Sequence, residues 1–423
     1  MRKLFFIFLI GFNLYGQHLS SRKISRIVKK NPVFSKSHVG VAVQRLGSNK
    51  KIKGVQFSKY MTPASNLKIL TFLGAIQTFD SLPIINYALI NKELHIKSTG
   101  YPLLFHPRYP DIELEFFLNS YKNIVYHRSL NNLPRYGPGW AWDDYSYYFS
   151  AQTSALPLFG NVVRFTNFNK NQVSSNPSLF KIIEDNSIKT SVVRNETSNI
   201  FKVNSSIPLP KDTIYVPFKT SEKLVTDLLN FRLESQVTYD QKDLETYKVL
   251  YTKDLKKIYK AVLHDSDNLI AESLLMMISK ELNDDFLISK TIRKLKRKWN
   301  LWVPDEILWY DGSGLSRYSM ITPRTLIAVL QKINEKIGLN GIQNYFAAGG
   351  LHGNIKNFYK KAGGPFVYAK TGTLKNNHNL SGYIISEKGN WYTFSIMVNH
   401  FESSTNEIRI AIGELLDYIY KKG

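Results

Sequence analysis

Three short stretches of the sequence contain residue types that together could perform nucleophilic catalysis. A serine precedes a lysine by three residues in PASNLKILT (63–71), a serine precedes an asparagine by two in HDSDNLIAESLL (264–275), and AKTGTL (369–374) contains Lys-Thr-Gly. The motif residues are Ser65, Lys68, Ser266, Asn268, Lys370, Thr371, Gly372 and Thr373. From Ser65 to Ser266 is 201 residues and from Ser266 to Lys370 is 104, so only a folded chain could bring the motifs together.

The first motif has the composition of a nucleophile with its base. A serine hydroxyl attacks poorly until a neighbouring base takes its proton. Lys68 projects from the same side of a helix one turn after Ser65, so its amine can reach the hydroxyl. To act as a base the amine must be neutral for part of the time. Burial and a second cation, Lys370, would both lower its pKa.

The second motif supplies groups that could serve the leaving atom and the substrate. Ser266 can relay a proton from Lys68 toward a leaving nitrogen, and Asn268 offers a carboxamide to a substrate amide. The start of the helix at Ser65 also places a backbone N–H where an oxyanion would develop.

The third motif suits a substrate that ends in a carboxylate. Lys370, Thr371 and Thr373 offer a cation and two hydroxyls, and the N–H of Thr373 is the expected second oxyanion donor. Gly372 lets the backbone of a strand approach another segment closely.

A purely structural interpretation applies to each motif taken alone. Ser-x-x-Lys is common, and in that interpretation Ser65 caps a helix while Lys68 is a solvated residue of its first turn. Three motifs in this order and context are much less expected by chance, and they favour catalysis.

The alternation of apolar and polar residues predicts an α/β (α+β) body interrupted by a β-rich insert. A hairpin around 47–49 and a helix over 64–79 open the body, and helices, two late strands and a closing helix over 406–420 complete it. Short alternating runs fill the middle of the chain. We therefore predict a discontinuous body of 17–80 and 221–423, with an inserted β-rich domain at 81–220.

The first residues have the pattern of an export signal. Arg2 and Lys3 precede an apolar run from Leu4 to Leu14, which is too short to span a membrane. We predict a signal peptide at 1–16 and a periplasmic location. The chain contains no cysteine, so disulfides cannot stabilise it.

The formal net charge of +23 allows several interpretations. Nucleic-acid binding is disfavoured because the cations are scattered and an exported chain rarely meets nucleic acid. Peripheral association with anionic envelope surfaces is a second interpretation. Composition alone is the favoured one, since Lys, Asn, Ile, Phe and Tyr are abundant throughout.

We expect neither a metal nor another cofactor. The nine histidines show no spacing such as His-Glu-x-x-His. His264 precedes the second motif and His378 follows the third, and neither is expected to be a catalyst.

Beyond these three motifs, which match the set known from penicillin-binding proteins and serine β-lactamases, the chain resembles one family along nearly its whole length. Similar stretches are GWAWDD (139–144), SDNLIAESLL (266–275), DGSGLSR (311–317), LSGY (380–383) and FSIMVNHF (394–401). They resemble the D-alanyl-D-alanine carboxypeptidases of the class C low-molecular-mass penicillin-binding proteins, the S13 peptidases, which also have an insert between the first two motifs.

This resemblance implies a reaction and its partners. It implies a serine β-lactamase/transpeptidase-like fold, acyl transfer on peptidoglycan stem peptides that end in D-Ala-D-Ala, endopeptidase action on D-Ala–diaminopimelate cross-bridges, and covalent inhibition by β-lactam antibiotics. In GWAWDD it implies that Trp140 and Asp143 bind the free amino group of diaminopimelate. The structural alternative is that the tryptophans are core residues and that Asp143 or Asp144 caps a turn. For DGSGLSR we expect a structural role first, and pairing of Arg317 with a nearby carboxylate is the less favoured alternative.

Two other functions stay open at this point. The first is a β-lactamase or esterase on the same fold, which would turn a β-lactam over rapidly. The second is a catalytically silent peptidoglycan-binding protein, which would have no need of Ser65 together with Lys68.

Overall fold

A computed structural model describes residues 18–128, 133–169 and 172–423. The predicted signal peptide at 1–16 therefore lies outside the described residues. Within them, no helix is both long enough and apolar enough to cross a membrane.

The described residues form strands and helices in both halves of the chain. The strands are β1 (His38–Arg45), β2 (Lys53–Val55), β3 (Leu82–Ile90), β4 (Glu93–Ser98), β5 (Asn123–His127), β6 (Val162–Asn169), β7 (Gln172–Asn176), β8 (Lys181–Glu184), β9 (Val192–Arg194), β10 (Ile200–Val203), β11 (Thr213–Pro217), β12 (Gln236–Asp240), β13 (Lys248–Thr252), β14 (Ala347–Ala348), β15 (Val367–Leu374), β16 (Asn377–Ile385) and β17 (Trp391–Asn399). The α-helices are α1 (Ser21–Lys30), α2 (Lys68–Thr78), α3 (Ile112–Asn119), α4 (Glu222–Arg232), α5 (Lys256–Leu263), α6 (Asn268–Asn283), α7 (Ile288–Trp299), α8 (Pro323–Tyr345) and α9 (Thr405–Lys422).

A six-stranded antiparallel sheet is the centre of the body, in the order β14-β15-β16-β17-β1-β2. Its two faces are both covered, because successive side chains of a strand point to opposite sides. On β17, Ile396 and Val398 pack into the cluster that includes α9, whereas Met397 packs into the cluster that includes α2 and α8. The mixed fold with an antiparallel sheet and flanking helices confirms the predicted fold class.

Helix α2 lies in the interior between this sheet and further helices. Its sequence KILTFLGAIQT is apolar around most of its circumference, and residues 68–76 are all buried. It contacts α5, α6 and α8. Lys68 at its first position is therefore in the core of the protein.

Three smaller sheets occupy the middle of the chain. They have the orders β12-β5-β4-β3-β13, β11-β6-β7 and β8-β10-β9. The strands of the five-stranded sheet come from both sides of position 220, where we placed the end of the insert. The division into domains stays a prediction.

Several predicted elements have slightly different limits in the structure. The helix expected over 64–79 begins as a 3₁₀ turn, Ala64–Leu67, and continues as α2. The closing helix extends one or two residues further at each end than expected. Helices α1, α3 and α7 were not predicted, although Ile292, Leu295 and Trp299 of α7 do have the spacing of a buried helical stripe.

Candidate active site

The turn that bears Ser65 is held against β16 by side-chain amides. Asn379 Nδ2 donates to the carbonyl oxygens of Thr62 and Pro63 at 2.9 and 2.8 Å, and Asn66 Nδ2 donates to Ser381 Oγ at 2.7 Å. Both carbonyls belong to the segment that leads into the turn, so these bonds fix the chain where the turn begins. Ser65 is thereby fixed at the edge of a cleft while its neighbours are buried.

The amine of Lys68 has three acceptors. Nζ donates to Ser65 Oγ at 2.9 Å, to Asn268 Oδ1 at 2.6 Å and to the carbonyl oxygen of Ser313 at 2.7 Å. The side chain is fully buried, and this burial lowers the pKa of Lys68 to about 8 against the opposing charges of Asp311 and other carboxylates. At pH 7 about a tenth of the molecules would hold a neutral Lys68.

The second motif meets the third through Ser266. Lys370 Nζ donates to Ser266 Oγ at 2.8 Å and to the carbonyl oxygen of Thr371 at 2.7 Å. Burial, and then the charge of Lys68, lower the pKa of Lys370 well below its ordinary value. Ser266 has a φ of 62°, a left-handed conformation that is uncommon outside glycine.

Asn268 is the first residue of α6 and is held in one orientation. Its Nδ2 donates to the carbonyl oxygen of Phe149 at 2.8 Å, so its Oδ1 faces Lys68. Asp267 caps α6 by accepting a bond from the N–H of Ile270, and it is paired with Arg108. Arg108 and Phe149, which both lie in the segment 81–220, therefore contact the second motif directly.

The third motif lies on β15, next to the turn of Ser65. A Cβ on Gly372 would lie 2.4 Å from the carbonyl oxygen of Pro63 and 3.1 Å from the N of Ser65. Only glycine permits this approach, as expected. Asn354 Nδ2 donates to Thr371 Oγ1 at 2.6 Å.

His378 contacts the same strand. Its Nδ1 lies 2.7 Å from Thr373 Oγ1, across the β15–β16 pair in which these two residues are partners. The ring is fully buried, and burial lowers the pKa of His378 to about 3. The ring is therefore neutral. His378 was not expected to be a catalyst, and the register of the β15–β16 hairpin is the signal that places it opposite Thr373.

These residues surround a cleft with a volume of about 860 Å³. Of the residues predicted from the sequence, it is lined by Ser65, Ser266, Asn268, Thr371, Thr373 and Asp143. Lys68, Lys370 and Gly372 lie behind this lining, where the first two contact lining residues. The structure thus brings the three motifs together around one space.

The two residues of GWAWDD that were predicted to bind substrate differ in their position relative to the cleft. Asp143 lines the cleft together with Asp144 and Arg317. Burial raises the pKa of Asp144, and the charge of Arg317 acts in the opposite direction. Trp140 is outside the lining, and its Nε1 donates to Asp311 Oδ2 at 2.9 Å. A substrate-binding role for Trp140 stays a prediction.

The first six residues of DGSGLSR form a buried loop behind Lys68, and Arg317 is exposed at the cleft. Asp311 Oδ1 accepts from the N–H of Gly314 at 3.0 Å, and its Oδ2 accepts from the N–H of Ser316 at 2.7 Å. Burial raises the pKa of Asp311 while these bonds act against the rise. A Cβ on Gly314, where φ is 77°, would meet the carbonyl oxygen of Ala64 at 2.0 Å. The loop is therefore tightly seated against the nucleophile turn.

Among the described residues, the histidines and acidic side chains form no metal centre. No group of three or more His, Cys, Asp or Glu side chains could hold an ion among them. His264 stacks on His352 with ring centroids 4.5 Å apart, and burial lowers its pKa to about 4. His264 is thus a neutral packed residue at the end of α5.

Comparison with known proteins places this chain in a family. The model of the D-Ala-D-Ala carboxypeptidase 3 (S13) family matches residues 20–419. The D-alanyl-D-alanine carboxypeptidase DacB of Haemophilus influenzae is 23% identical over 97% of this chain and 95% of its own. The penicillin-sensitive carboxypeptidase A of Dictyostelium discoideum is 26% identical, over 43% of this chain and 37% of its own.

Solved structures share the fold. Penicillin-binding protein 4 of H. influenzae has a TM-score of 0.72 at 22% identity, covering 94% of this chain and 99% of that one. A predatory endopeptidase of Bdellovibrio bacteriovorus in complex with an immunity protein has a TM-score of 0.52 at 16% identity, covering 90% and 94%. The resemblance inferred from the motifs is confirmed: the chain belongs to the D-Ala-D-Ala carboxypeptidase 3 (S13) family and is a serine-type D-Ala-D-Ala carboxypeptidase.

Proposed function

We propose that this carboxypeptidase removes the terminal D-Ala of peptidoglycan stem peptides through an acyl-enzyme on Ser65, and that it also cleaves D-Ala–diaminopimelate cross-bridges. The observation that supports this most is the 2.9 Å contact between Lys68 Nζ and Ser65 Oγ in a buried setting that lowers the pKa of the lysine. A mobile surface lysine would remain charged and could not accept the proton of the serine.

In the proposed acylation, neutral Lys68 takes the proton of Ser65 as Oγ attacks the carbonyl carbon of the penultimate D-Ala. The negative charge on the carbonyl oxygen is stabilised by the backbone N–H groups of Ser65 and Thr373. The C–N bond then breaks. Ser266 gives its hydroxyl proton to the leaving nitrogen and takes in its place the proton that Lys68 received from Ser65, which returns Lys68 to its neutral form. Ser266 accepts a bond from Lys370 and so is oriented within the cleft.

Deacylation reverses these roles with water as the nucleophile. Lys68, again neutral, takes a proton from water while the oxygen attacks the ester carbon. The bond from carbon to Ser65 Oγ breaks, and Oγ regains a proton from Lys68. The products are the shortened peptide and the free enzyme. No cofactor is needed for either step.

Substrate recognition is proposed to divide between the two walls of the cleft. Thr371 and Thr373, backed by Lys370, would bind the terminal carboxylate, since hydroxyls and a cation favour an anion. Asn268 would face an amide of the stem peptide. Asp143 would bind the free amino group of diaminopimelate, because it is an exposed carboxylate in the lining of the cleft.

The same serine is expected to react with penicillin, whose strained amide resembles the scissile bond. Intact mass after incubation of wild type and Ser65→Ala with penicillin tests the proposal. We expect one penicilloyl adduct on the wild type alone, persisting for minutes or longer, and release of D-Ala from a defined pentapeptide. Rapid loss of the adduct would instead indicate a β-lactamase. Two folded proteins that both stay unlabelled would favour a silent peptidoglycan-binding protein.

A periplasmic location is part of the proposal. The basic start and the apolar run Leu4–Leu14 support export, and the proposed substrate, peptidoglycan, lies outside the cytoplasm. Fractionation of cells, followed by amino-terminal sequencing, should find the chain outside the inner membrane and lacking about 16 residues. Recovery of the uncut chain in the cytoplasm would contradict it.

We also propose weak peripheral association with anionic envelope surfaces. Helix α7 exposes Arg293, Lys294, Arg297 and Lys298 on its outer side. Clustered cations attract an anionic surface, and salt screens the attraction. Sedimentation with phosphatidylglycerol vesicles should exceed that with phosphatidylcholine and should fall in high salt and in Arg297→Gln/Lys298→Gln. Equal sedimentation with both lipids would refute the association.

A further inference from the structure

Glu272 is a buried acid that the reaction proposed above does not use. It lies on α6 one turn after Asn268, so both side chains project from the same side of the helix toward Lys68. Its side chain is only 2% exposed. An unpaired buried carboxylate is costly, so its partners indicate what it does.

Those partners are two consecutive N–H groups of the DGSGLSR loop. Glu272 Oε2 accepts from the N–H of Gly312 at 2.9 Å, and Oε1 accepts from the N–H of Ser313 at 2.8 Å. Hydrogen bonds to a charged acceptor are stronger than neutral ones. From the opposite side, Thr71 Oγ1 on α2 donates to the carbonyl oxygen of Gly312 at 2.6 Å. The loop is thereby fixed between α2 and α6.

The approach of loop and helix leaves no space for a side chain between them. A Cβ on Gly312 would lie 2.6 Å from the carbonyl oxygen of Ala271. Both carboxylate oxygens of Glu272 therefore reach the backbone of the loop directly. As a result, Glu272 fixes the Gly312–Ser313 peptide unit, which immediately precedes the Ser313 carbonyl, while Asp311 Oδ1 holds the unit of that carbonyl through the N–H of Gly314 at 3.0 Å.

This orientation matters because the carbonyl oxygen of Ser313 is an acceptor of Lys68. A neutral amine has two N–H bonds and one lone pair. The Ser313 carbonyl and Asn268 Oδ1, which is fixed by its bond to Phe149, can only accept, so they take the two N–H bonds. The lone pair is then directed at the remaining neighbour, Ser65 Oγ, as a general base requires.

We propose that Glu272 is a positioning residue for catalysis, which fixes the loop backbone leading to the Ser313 carbonyl so that the amine of Lys68 points its lone pair at Ser65. This inference rests on the proposed roles of Ser65 and Lys68. It assigns Glu272 an effect on acylation beyond any effect on folding.

The charges around Glu272 add a second, separable effect. It is faced by Asp311 within the loop and by Lys68 from α2, and Asp267 lies at the start of its own helix. Burial, followed by the charge of Asp311, raises the pKa of Glu272 to about 7. When ionised, Glu272 favours the charged form of Lys68. Its removal would lower the pKa of Lys68.

Two substitutions distinguish the effect of the position of the Glu272 carboxylate from the effect of its charge. Glu272→Gln removes the charge and presents an NH₂ group to one of the two N–H donors, so one bond is lost. Glu272→Asp retains the charge but is shorter by one methylene. Ser279→Ala is the matched control, because Ser279 is buried on the same helix and its hydroxyl donates to Asp285, which is not a residue of the cleft lining. Thr71→Val weakens the other attachment of the loop and changes no charge.

The experiment measures the second-order rate constant of acylation by a fluorescent penicillin from pH 5.5 to 9.5, with thermal melting of each full-length variant. We expect Glu272→Gln and Glu272→Asp to acylate at least about tenfold more slowly than Ser279→Ala, because small misplacements of a base are costly. The acidic limb of the pH profile should move to lower pH in Glu272→Gln alone. Thr71→Val should be slowed without a shift.

The result that overturns the inference is acylation of the folded Glu272 variants within about threefold of Ser279→Ala. If neither Glu272 variant folds, an unchanged rate for Thr71→Val overturns it instead. Labelling of Ser65→Ala, or no labelling of wild type, would refute the proposed function. A wild type that is labelled, a Ser65→Ala that is not, and Glu272 variants equal to the control would refute the positioning role alone.

Discussion

Replacing Gly372 with alanine should separate the strand of the third motif from the turn of Ser65. The added Cβ would lie 2.4 Å from the carbonyl oxygen of Pro63, about 1 Å short of the 3.4 Å at which ordinary contact begins. The N atoms of Asn66 and Ser65, at 2.7 and 3.1 Å, are also backbone atoms that cannot rotate away. The two backbones must therefore move apart by a sizeable fraction of an ångström.

The expected cost to the reaction follows from this displacement. A misplacement of 1 Å between reacting groups can slow a reaction about 100-fold, equivalent to about 2.7 kcal/mol of activation free energy. Overpacking should also lower the free energy of unfolding by about 1–3 kcal/mol. The rate constant of acylation by a fluorescent penicillin, measured well below the melting temperature, isolates the first effect from the second.

Gly54→Ala is the control, because it introduces a steric clash in the same sheet away from the turn of Ser65. Gly54 lies on β2 at the opposite edge of the same sheet, and a Cβ there would lie 1.8 Å from the carbonyl oxygen of Val41. This variant should be destabilised yet acylate at the wild-type rate while folded. If folded Gly372→Ala acylates within about threefold of Gly54→Ala, the close approach of β15 to the nucleophile turn is irrelevant to catalysis and the reasoning fails.

Three further predictions concern single side chains. Only neutral Lys68 can accept a proton, and burial lowers its pKa to about 8. The acylation rate should therefore rise about tenfold per pH unit below pH 8 and then level off. A flat rate profile between pH 6 and 9 would contradict this. His378→Phe removes the ring nitrogen beside Thr373. The rate of acylation by a carboxylate-bearing substrate should therefore fall about 3- to 10-fold, while the rate for an ester that lacks the carboxylate stays unchanged. If both rates fall equally, the contact between His378 and Thr373 does not serve the carboxylate. Asp143→Asn should raise the KM about fivefold for peptides with a free diaminopimelate amine and leave the KM for acetylated peptides unchanged. The difference in KM between variant and wild type should vanish in high salt. An equal rise in KM for both kinds of peptide would exclude amine recognition.

The motif residues were predictable because their chemistry depends on local spacing. Ser65 and Lys68 are one helical turn apart, and Gly372 is set in a strand by its neighbours. Their assembly in one cleft could be expected only from the resemblance, since no local rule connects segments 100 or more residues apart. The fold class followed from the periodicity of apolar residues in the same way.

The residues that the sequence did not reveal act through tertiary contacts. The acceptor that orients Asn268 is the backbone carbonyl of Phe149, and a backbone atom has no sequence signature. Glu272 resembles any acidic residue of a helix until its burial is known. His378 is different, because recognition of the tight turn between β15 and β16 would have placed it opposite Thr373.

The five-stranded sheet has a consequence for how this protein can be shortened or recombined. Its outer strands, β12 and β13, follow position 220, while the three strands between them precede it. A deletion confined to 81–220 would leave two isolated strands without neighbours, exposing their backbone groups and the buried Val237. The smallest segment that can be exchanged as a unit is therefore 82–252, and a chimaera joined inside it should aggregate rather than lose only its specificity.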